Sequence, residues 1–278
     1  MSKPDTKLAG LELAVASIQQ LPPMPRTAAK LLGMLEKPDT TSEDLQRVLA
    51  ADPALVAAVL RMVNSAMFEW PQKITTISHA IMLIGFLRLR SLILATVAAG
   101  LKRLIPSRVS DLRDLLWNHS VNVSLASRLL AERAGFEWSE EAFVAGLLHD
   151  CGRLAFLALK PDEYGSLLTP GALPSPRRET SKLGVDHQAL GAALLRHWRL
   201  PAQFVTVAGT HHEAEAVQGQ HGSLIAIVVL ADALTDGMDR VDPAPAAEAL
   251  RLSEARLEDL SEDIDVQLKC ARGALLGL

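Results

Sequence analysis

The residues best placed to do chemistry in this chain are imidazoles and carboxylates on helical faces that should bury oil. One apolar stripe reads Leu112, Leu116, His119, Val123, Ala126 and Leu130, at alternating intervals of four and three, so His119 faces a core. A second reads Phe143, Leu147, Asp150, Leu154 and Leu157, which turns Asp150 inward with His149 about 100° round the helix. His187 falls in the first turn of a helix opening at Asp186, above Leu190 and Leu194. Another helix starts at Pro201 and carries Phe204, Val205 and Ala208 towards His211 and His212, and a further one presents Ile225, Val228 and Asp232 on one face. A buried carboxylate without a partner is costly or becomes protonated, so Asp150 and Asp232 both need one. A divalent metal would serve both, with neutral imidazoles filling the remaining positions. Singly, each residue has a plainer explanation: a hydrogen-bonded core histidine, or an aspartate capping a neighbouring helix. Their joint occurrence on successive helices is what points to a site.

The elements that must position these residues are legible from their punctuation. Thr41 to Asp44 reads as a capping-box-like start, with Asp in place of Glu or Gln. Asp52-Pro53 reads as an N-cap followed by proline at the first helical position, and Leu55, Val56, Val59, Leu60 and Val63 form the stripe that follows. Helices continue through Leu104, with a lobe boundary expected at Pro106-Ser107. A second helical group runs from Ser110 to about Asp236, interrupted by an expected exposed loop from Thr169 to Pro176, and a tail is expected from Ser253 to about Leu275. No run alternates with period two, so no significant sheet is expected. The predicted fold is all-α, an N-terminal helical lobe packed on a multi-helix core. The expected divisions are a helical extension over 1–20, a domain over 21–240 (lobe 21–105, core 106–240), and a C-terminal helical tail over 241–278.

Composition fits this picture: 49% of residues are apolar, 22% charged and only 4% aromatic. The core is therefore mostly Leu, Ala, Val and Ile, a mixture suited to helices. A net charge of −4 argues against a chain-wide nucleic-acid footprint. Locally, Trp70 to Ser110 contains no acid but holds Lys73, Arg88, Arg90, Lys102, Arg103 and Arg108. The plain reading pairs this face with the acidic tail (Glu254, Glu258, Asp259, Glu262, Asp263, Asp265); the other is a contact for an acidic or phosphate-rich partner. Two cysteines, Cys151 and Cys270, lack metal-type pair spacing, and no signal peptide is evident, so a cytoplasmic location is expected. The most apolar stretch, Ile81 to Leu101, is broken by Arg88 and Arg90, which argues against a membrane span.

The order His119, His149-Asp150, Asp232 resembles the H…HD…D signature of HD-superfamily metal phosphohydrolases. His187 and His211-His212 resemble the additional ligands of dinuclear HD-GYP phosphodiesterases. Whole phrases, among them LPPMPRTAAKLL, LAADPALVAAVLRMVNSA, ISHAIMLIGFLRLRSL, FVAGLLHDCGRLAF and DHQALGAALLRHWRLP, look like the HDOD family over about Leu21 to Leu234. Two features depart from the HD-GYP pattern. HHEAEAVQGQ stands where those enzymes have a Glu and a DGxGYP run, and Arg153 replaces the lysine of HD-x-GK.

The resemblance implies bacterial signalling or regulation by a stand-alone version of the domain, binding a signalling protein partner or a nucleotide-like ligand. Arg88, Arg90, Lys102 and Arg103 are the candidate partner contacts. The alternative is a metal-dependent phosphodiesterase or phosphohydrolase. There Asp150 would be the central ligand, His119, His149 and Asp232 would complete the primary site, and His187 with His211 or His212 would hold a second metal. Iron, manganese and zinc are the candidate metals. A third account makes the cluster a metal-free core network, held by pairing of Asp150 with His119.

Overall fold

The computed structural model describes residues 6–64, 70–169, 172–235 and 242–275. Among these there is no strand, and the chain is a succession of helices, as expected from the missing period-two pattern. The chain divides into two compact units, Met24–Gly100 with Val266–Leu278, and Met1–Pro23 with Leu101–Asp265. The first helix, α1 (Thr6–Ile18), thus belongs with the second of these units, where it packs on a later helix, His187–His197.

The unit spanning Met24–Gly100 contains α2 (Arg26–Leu35), α3 (Ser42–Leu49), α4 (Pro53–Val63) and most of α5 (Ile77–Lys102). Its starts follow the chemistry expected. Thr41 Oγ1 accepts from the Asp44 amide at 3.2 Å, and the Asp44 carboxylate accepts from the Thr41 amide at 3.3 Å, closing the capping box. Asp52 accepts from the Leu55 amide at 3.0 Å, with Pro53 at the first position. The buried face of α4 is rotated from the expected stripe: Leu55, Ala58, Val59, Met62 and Val63 are buried, while Val56 and Leu60 are partly exposed. Two faces a turn apart are both apolar here, so periodicity alone did not decide between them. α5 is two helices joined at Gly85, whose φ of +73° is a left-handed value that other residues adopt only with strain.

The unit spanning Leu101–Asp265 is built from α6 (Ser110–Arg133), α7 (Ser139–Leu148), α8 (Cys151–Leu159), α9 (Pro161–Gly165), α10 (Pro176–Leu183), α11 (His187–His197), α12 (Ala202–Thr210), α13 (Gly222–Thr235), α14 (Ala244–Ala249) and the start of α15 (Glu254–Leu275). α14 lies within the stretch expected as the helical tail, 241–278. α6 packs along α7 and α13 and is buried on nearly every face below Leu116, not along one stripe. α8 crosses α11 at Gly152, where any Cβ would overlap the backbone carbonyl of His187. α7 approaches α6 as closely: a Cβ on Gly146 would lie 2.6 Å from Ser127 Oγ.

Two further expectations need correction. The stripe from Phe143 to Leu157 does not run along one helix, because the backbone turns at His149-Asp150 between α7 and α8. The stretch from Thr169 to Pro176 is not simply an exposed loop: Leu173 and Pro174 are buried, residues 170–171 lie outside the described ones, and the Pro174 carbonyl has a buried partner described below. Two stretches, Ile77–Lys102 and Ser139–Leu159, are long and apolar enough to cross a bilayer. The second is 89% buried within its window and broken by the turn, as a core element is.

Candidate metal centre

Six helices or their ends deliver one cluster. α6 supplies His119, the α7–α8 turn supplies His149 and Asp150, α11 opens on His187, α12 ends at His211-His212, and α13 supplies Asp232. All are at most 2% exposed except His212, which is partly exposed. Asp150 lies at the centre. Its Oδ2 is 3.6 Å from His119 Nε2 and 3.7 Å from His149 Nε2, while its Oδ1 is 3.3 Å from His187 Nε2 and 3.5 Å from His211 Nε2. Asp232 Oδ1 is 3.4 Å from His119 Nε2. The Nε2 atoms of His211 and His212 stand 3.3 and 3.1 Å from that of His187. Two groups of atoms able to ligate a metal result, His119–His149–Asp150 and His187–His211–His212, each with its members within 4.8 Å of one another. The seven residues singled out in the sequence are thus brought together, His149 as deeply buried as the rest.

Backbone carbonyls set the ring orientations. His149 Nδ1 lies 2.7 Å from the Gly146 carbonyl and His211 Nδ1 lies 3.1 Å from the Val207 carbonyl, contacts that only a protonated Nδ1 can make. That protonation turns an Nε2 lone pair towards Asp150. Burial pushes the His149 imidazole down to about 3, against the pull of Asp150, so it is neutral and able to ligate. Burial would raise the Asp150 carboxyl, but the Arg153 guanidinium beside it outweighs this and holds the group well below the usual carboxylate range.

Arg153 is wholly buried, and its Nε donates to Asp150 Oδ2 at 2.7 Å. One Nη donates to Glu179 Oε1 at 2.9 Å and to the Pro174 carbonyl at 2.8 Å. Glu179, on α10, also accepts from the Tyr164 hydroxyl at 3.0 Å. The sequence reading missed Glu179 and Tyr164. α10 is a short polar helix in which a glutamate reads as surface, and only the fold carries it inside. The uniqueness of Tyr164, the chain's single tyrosine, was the one available signal.

These residues fit a divalent cation. Asp150 Oδ1 and His149 Nε2 are buried, yet among the described residues neither has a hydrogen-bond partner, and a pocket that leaves acceptors in this state suits a positive ion. Mixed imidazole and carboxylate donors suit iron, manganese or zinc over calcium or magnesium.

The sequence model of the HDOD domain matches residues 21–214. The chain belongs to the HDOD family. Its fold is similar to the crystal structure of an HDOD domain protein of unknown function from Geobacter sulfurreducens, with a TM-score of 0.81, 24% identity and 98% of each chain covered. It is also similar to a Shewanella amazonensis SB2B protein named "Putative phosphohydrolase", with a TM-score of 0.73, 24% identity and 95% of this chain and 97% of the other covered. Over 258 residues this HDOD chain is 28% identical to an uncharacterized protein of Treponema pallidum (strain Nichols), covering 91% of itself and 50% of that protein. The chain therefore spans about half the length of the curated relative it matches.

The candidate partner residues are less uniform. Arg103 is exposed and Arg88 half-buried. The Arg90 side chain is 21% exposed and 4.0 Å from Glu36. Lys102 is only 12% exposed, lies 3.9 Å from Asp114 and sits over the Trp117 ring at 5.1 Å. Arg88 and Arg90 belong to one unit, Lys102 and Arg103 to the other. For three of the cations the structure gives acids other than those of the tail: Arg90, Lys102 and Arg108 reach Glu36, Asp114 and Asp162, and Asp263 of the tail pairs with Arg133. Local acids outcompete distant ones for these side chains.

Proposed function

We propose that this HDOD chain is a signalling or regulatory module that binds a partner protein or a nucleotide-like ligand and holds a divalent transition metal in the Asp150 cluster. The observation that carries this reading is the burial of the cluster. Of the seven ligands only His212 reaches the surface, which suits a metal that fixes helices better than one that meets a phosphodiester. The Arg153 guanidinium on Asp150 strengthens it, because the chain places a planar group, bonded to both Asp150 and Glu179, where HD-x-GK enzymes have a compact ammonium.

Room for a small ligand exists elsewhere in the same unit. A cavity of about 630 Å³ is lined by the stacked rings of Phe136 and Trp138, with Gln203, Gln218, His221 and Ser223 beside them. Its size falls in the range of small-molecule sites, and a planar base would suit its aromatic wall and amide groups.

The ligand set itself favours a second reading, a metal-dependent phosphohydrolase. A bound metal would there lower the pKa of a water and polarise a phosphoryl oxygen. In that reading Asp150 would be the central ligand, His119, His149 and Asp232 would complete the primary site, and His187 with His211 or His212 would hold a second metal. The test gives metal-loaded protein cyclic dinucleotides, cyclic mononucleotides and a generic phosphodiester, beside an Asp150→Ala control. Binding of a cyclic dinucleotide without turnover, weakened by Trp138→Ala, is the expected result. Turnover that disappears in the Asp150→Ala control establishes the enzyme instead.

A further inference from the structure

We infer that Glu179 is the positioning residue of the second ligand group, fixing the ring of His187 so that its Nε2 faces the metal. The inference rests on the metal reading above but on a residue outside its ligand set. Glu179 Oε2 lies 2.6 Å from His187 Nδ1 and accepts from the His187 backbone amide at 2.8 Å. One carboxylate oxygen thus holds the residue at both its main chain and its ring. A carboxylate can only accept there, so Nδ1 carries the proton and the Nε2 of the metal-bound ring is left as a lone pair. That Nε2 is the atom within 3.3 Å of Asp150 Oδ1, 3.3 Å of His211 Nε2 and 3.1 Å of His212 Nε2.

Glu179 is itself immobilised. Its other oxygen takes the Arg153 Nη at 2.9 Å and the Tyr164 hydroxyl at 3.0 Å, and the residue is 0% exposed. Arg153 in turn holds Asp150 Oδ2. Asp150 and His187, the two ligands that face each other across the second group, are therefore set by a single buried Glu179–Arg153 pair. The first group shares Asp150 with this pair but takes its other residues from elsewhere: His119 lies on α6 and Asp232 on α13, and His149 takes its orientation from the Gly146 carbonyl. Outer groups that orient ligating histidines typically change metal affinity by about 10- to 100-fold.

The test is Glu179→Gln, which keeps shape and length. Chelator-stripped wild type and variant are titrated with zinc, and ring ¹⁵N shifts of His187 are recorded with and without the metal. Two classes of zinc site are expected in the wild type. In the variant the zinc class that moves the His187 ring signals loses at least about tenfold in affinity while the other stays within about threefold, and the Nδ1–H signal of His187 is lost or exchanges rapidly. Unchanged affinity in both classes overturns the inference, as does an equal loss in both accompanied by a lower unfolding midpoint, which marks a merely structural residue. If the wild type binds no zinc, the metal reading fails by itself. The metal-free spectra then decide for Glu179: a protected Nδ1–H present in wild type and lost in Glu179→Gln supports its hold on His187, and identical spectra refute it.

Discussion

Replacing Asp150 by Ala is the sharpest probe of what the cluster does for the fold. Asp150 is 2% exposed, and in the metal-free protein its strongest bond is to the wholly buried Arg153, at 2.7 Å. Truncation leaves that guanidinium in the core with one charge partner fewer. Breaking a buried pair from one side costs about 3–5 kcal/mol. Arg153 keeps Glu179 at 2.9 Å and the Pro174 carbonyl at 2.8 Å, so the lower end, about 3 kcal/mol, is expected here. With a metal at about a hundred times its dissociation constant, wild type gains about 2.7 kcal/mol more and the variant does not, so the gap widens to about 6 kcal/mol. Urea unfolding with chelator and then with metal gives both numbers. Tryptophan fluorescence is the suitable signal, because Trp117, Trp138 and Trp198 lie in the unit holding Asp150 and only Trp70 in the other. Since the chain forms two units, the transition of this unit is fitted separately. A chelated variant within about half a kcal/mol of wild type refutes any structural role for Asp150.

Other expectations follow from the same geometry. His149 is held neutral down to about pH 3, whereas its unfolded form takes a proton near 6.5. In chelated protein stability should therefore fall as pH drops below 6.5, at up to about 1.4 kcal/mol per pH unit, and His149→Gln should flatten that slope between pH 6 and 4.5. Asp150, whose folded carboxyl is depressed, loses its contribution only at lower pH, as its unfolded form begins to protonate, so the two windows separate. Gly152→Ala should destabilise by about 1–3 kcal/mol or more, because the added methyl meets the His187 carbonyl and not a movable side chain; a neutral result in thermal unfolding contradicts the α8–α11 crossing. Arg103→Glu should leave unfolding within about 0.5 kcal/mol, whereas Lys102→Glu places an acid beside Asp114 and under-solvated against Trp117 and should not; equal effects refute the assignment of Arg103 as the available cation of the two.

The residues of the cluster were legible because each broke a strong local rule. His119 and Asp232 interrupt apolar stripes on long helices, and His187 and His211 sit at helix ends that Asp186 and Pro201 help to define. What could not be read was anything that depends on tertiary approach. The turn at His149-Asp150 preserves the spacing of a continuous stripe, so periodicity ran straight through it. Glu179 belongs to a helix rich in charge, and its burial is decided by Arg153, which in turn drew Pro174 out of the expected exposed loop. Lys102 looked like a surface cation until Trp117 offered its ring and Asp114 its carboxylate.

The helix ends add a reason why the cluster suits a cation better than a self-contained network. His149 and His211 are the C-cap residues of α7 and α12, and Asp232 lies in the last turn of α13. The C-terminal end of a helix carries roughly half a negative charge on carbonyls that lack partners within the helix. Each C-cap imidazole spends its Nδ1 proton on a carbonyl one turn back, Gly146 or Val207, and so presents an Nε2 acceptor to a pocket that already holds carboxylates. A metal-free network needs donors facing those acceptors. Arg153 is one, and its Nε takes Oδ2 of Asp150, but among the described residues Oδ1 and the Nε2 of His149 have no hydrogen bond. Supplying the missing donors by protonating His149 would charge a group that burial keeps neutral. The less costly way to satisfy both acceptors at once is a positive ion between them.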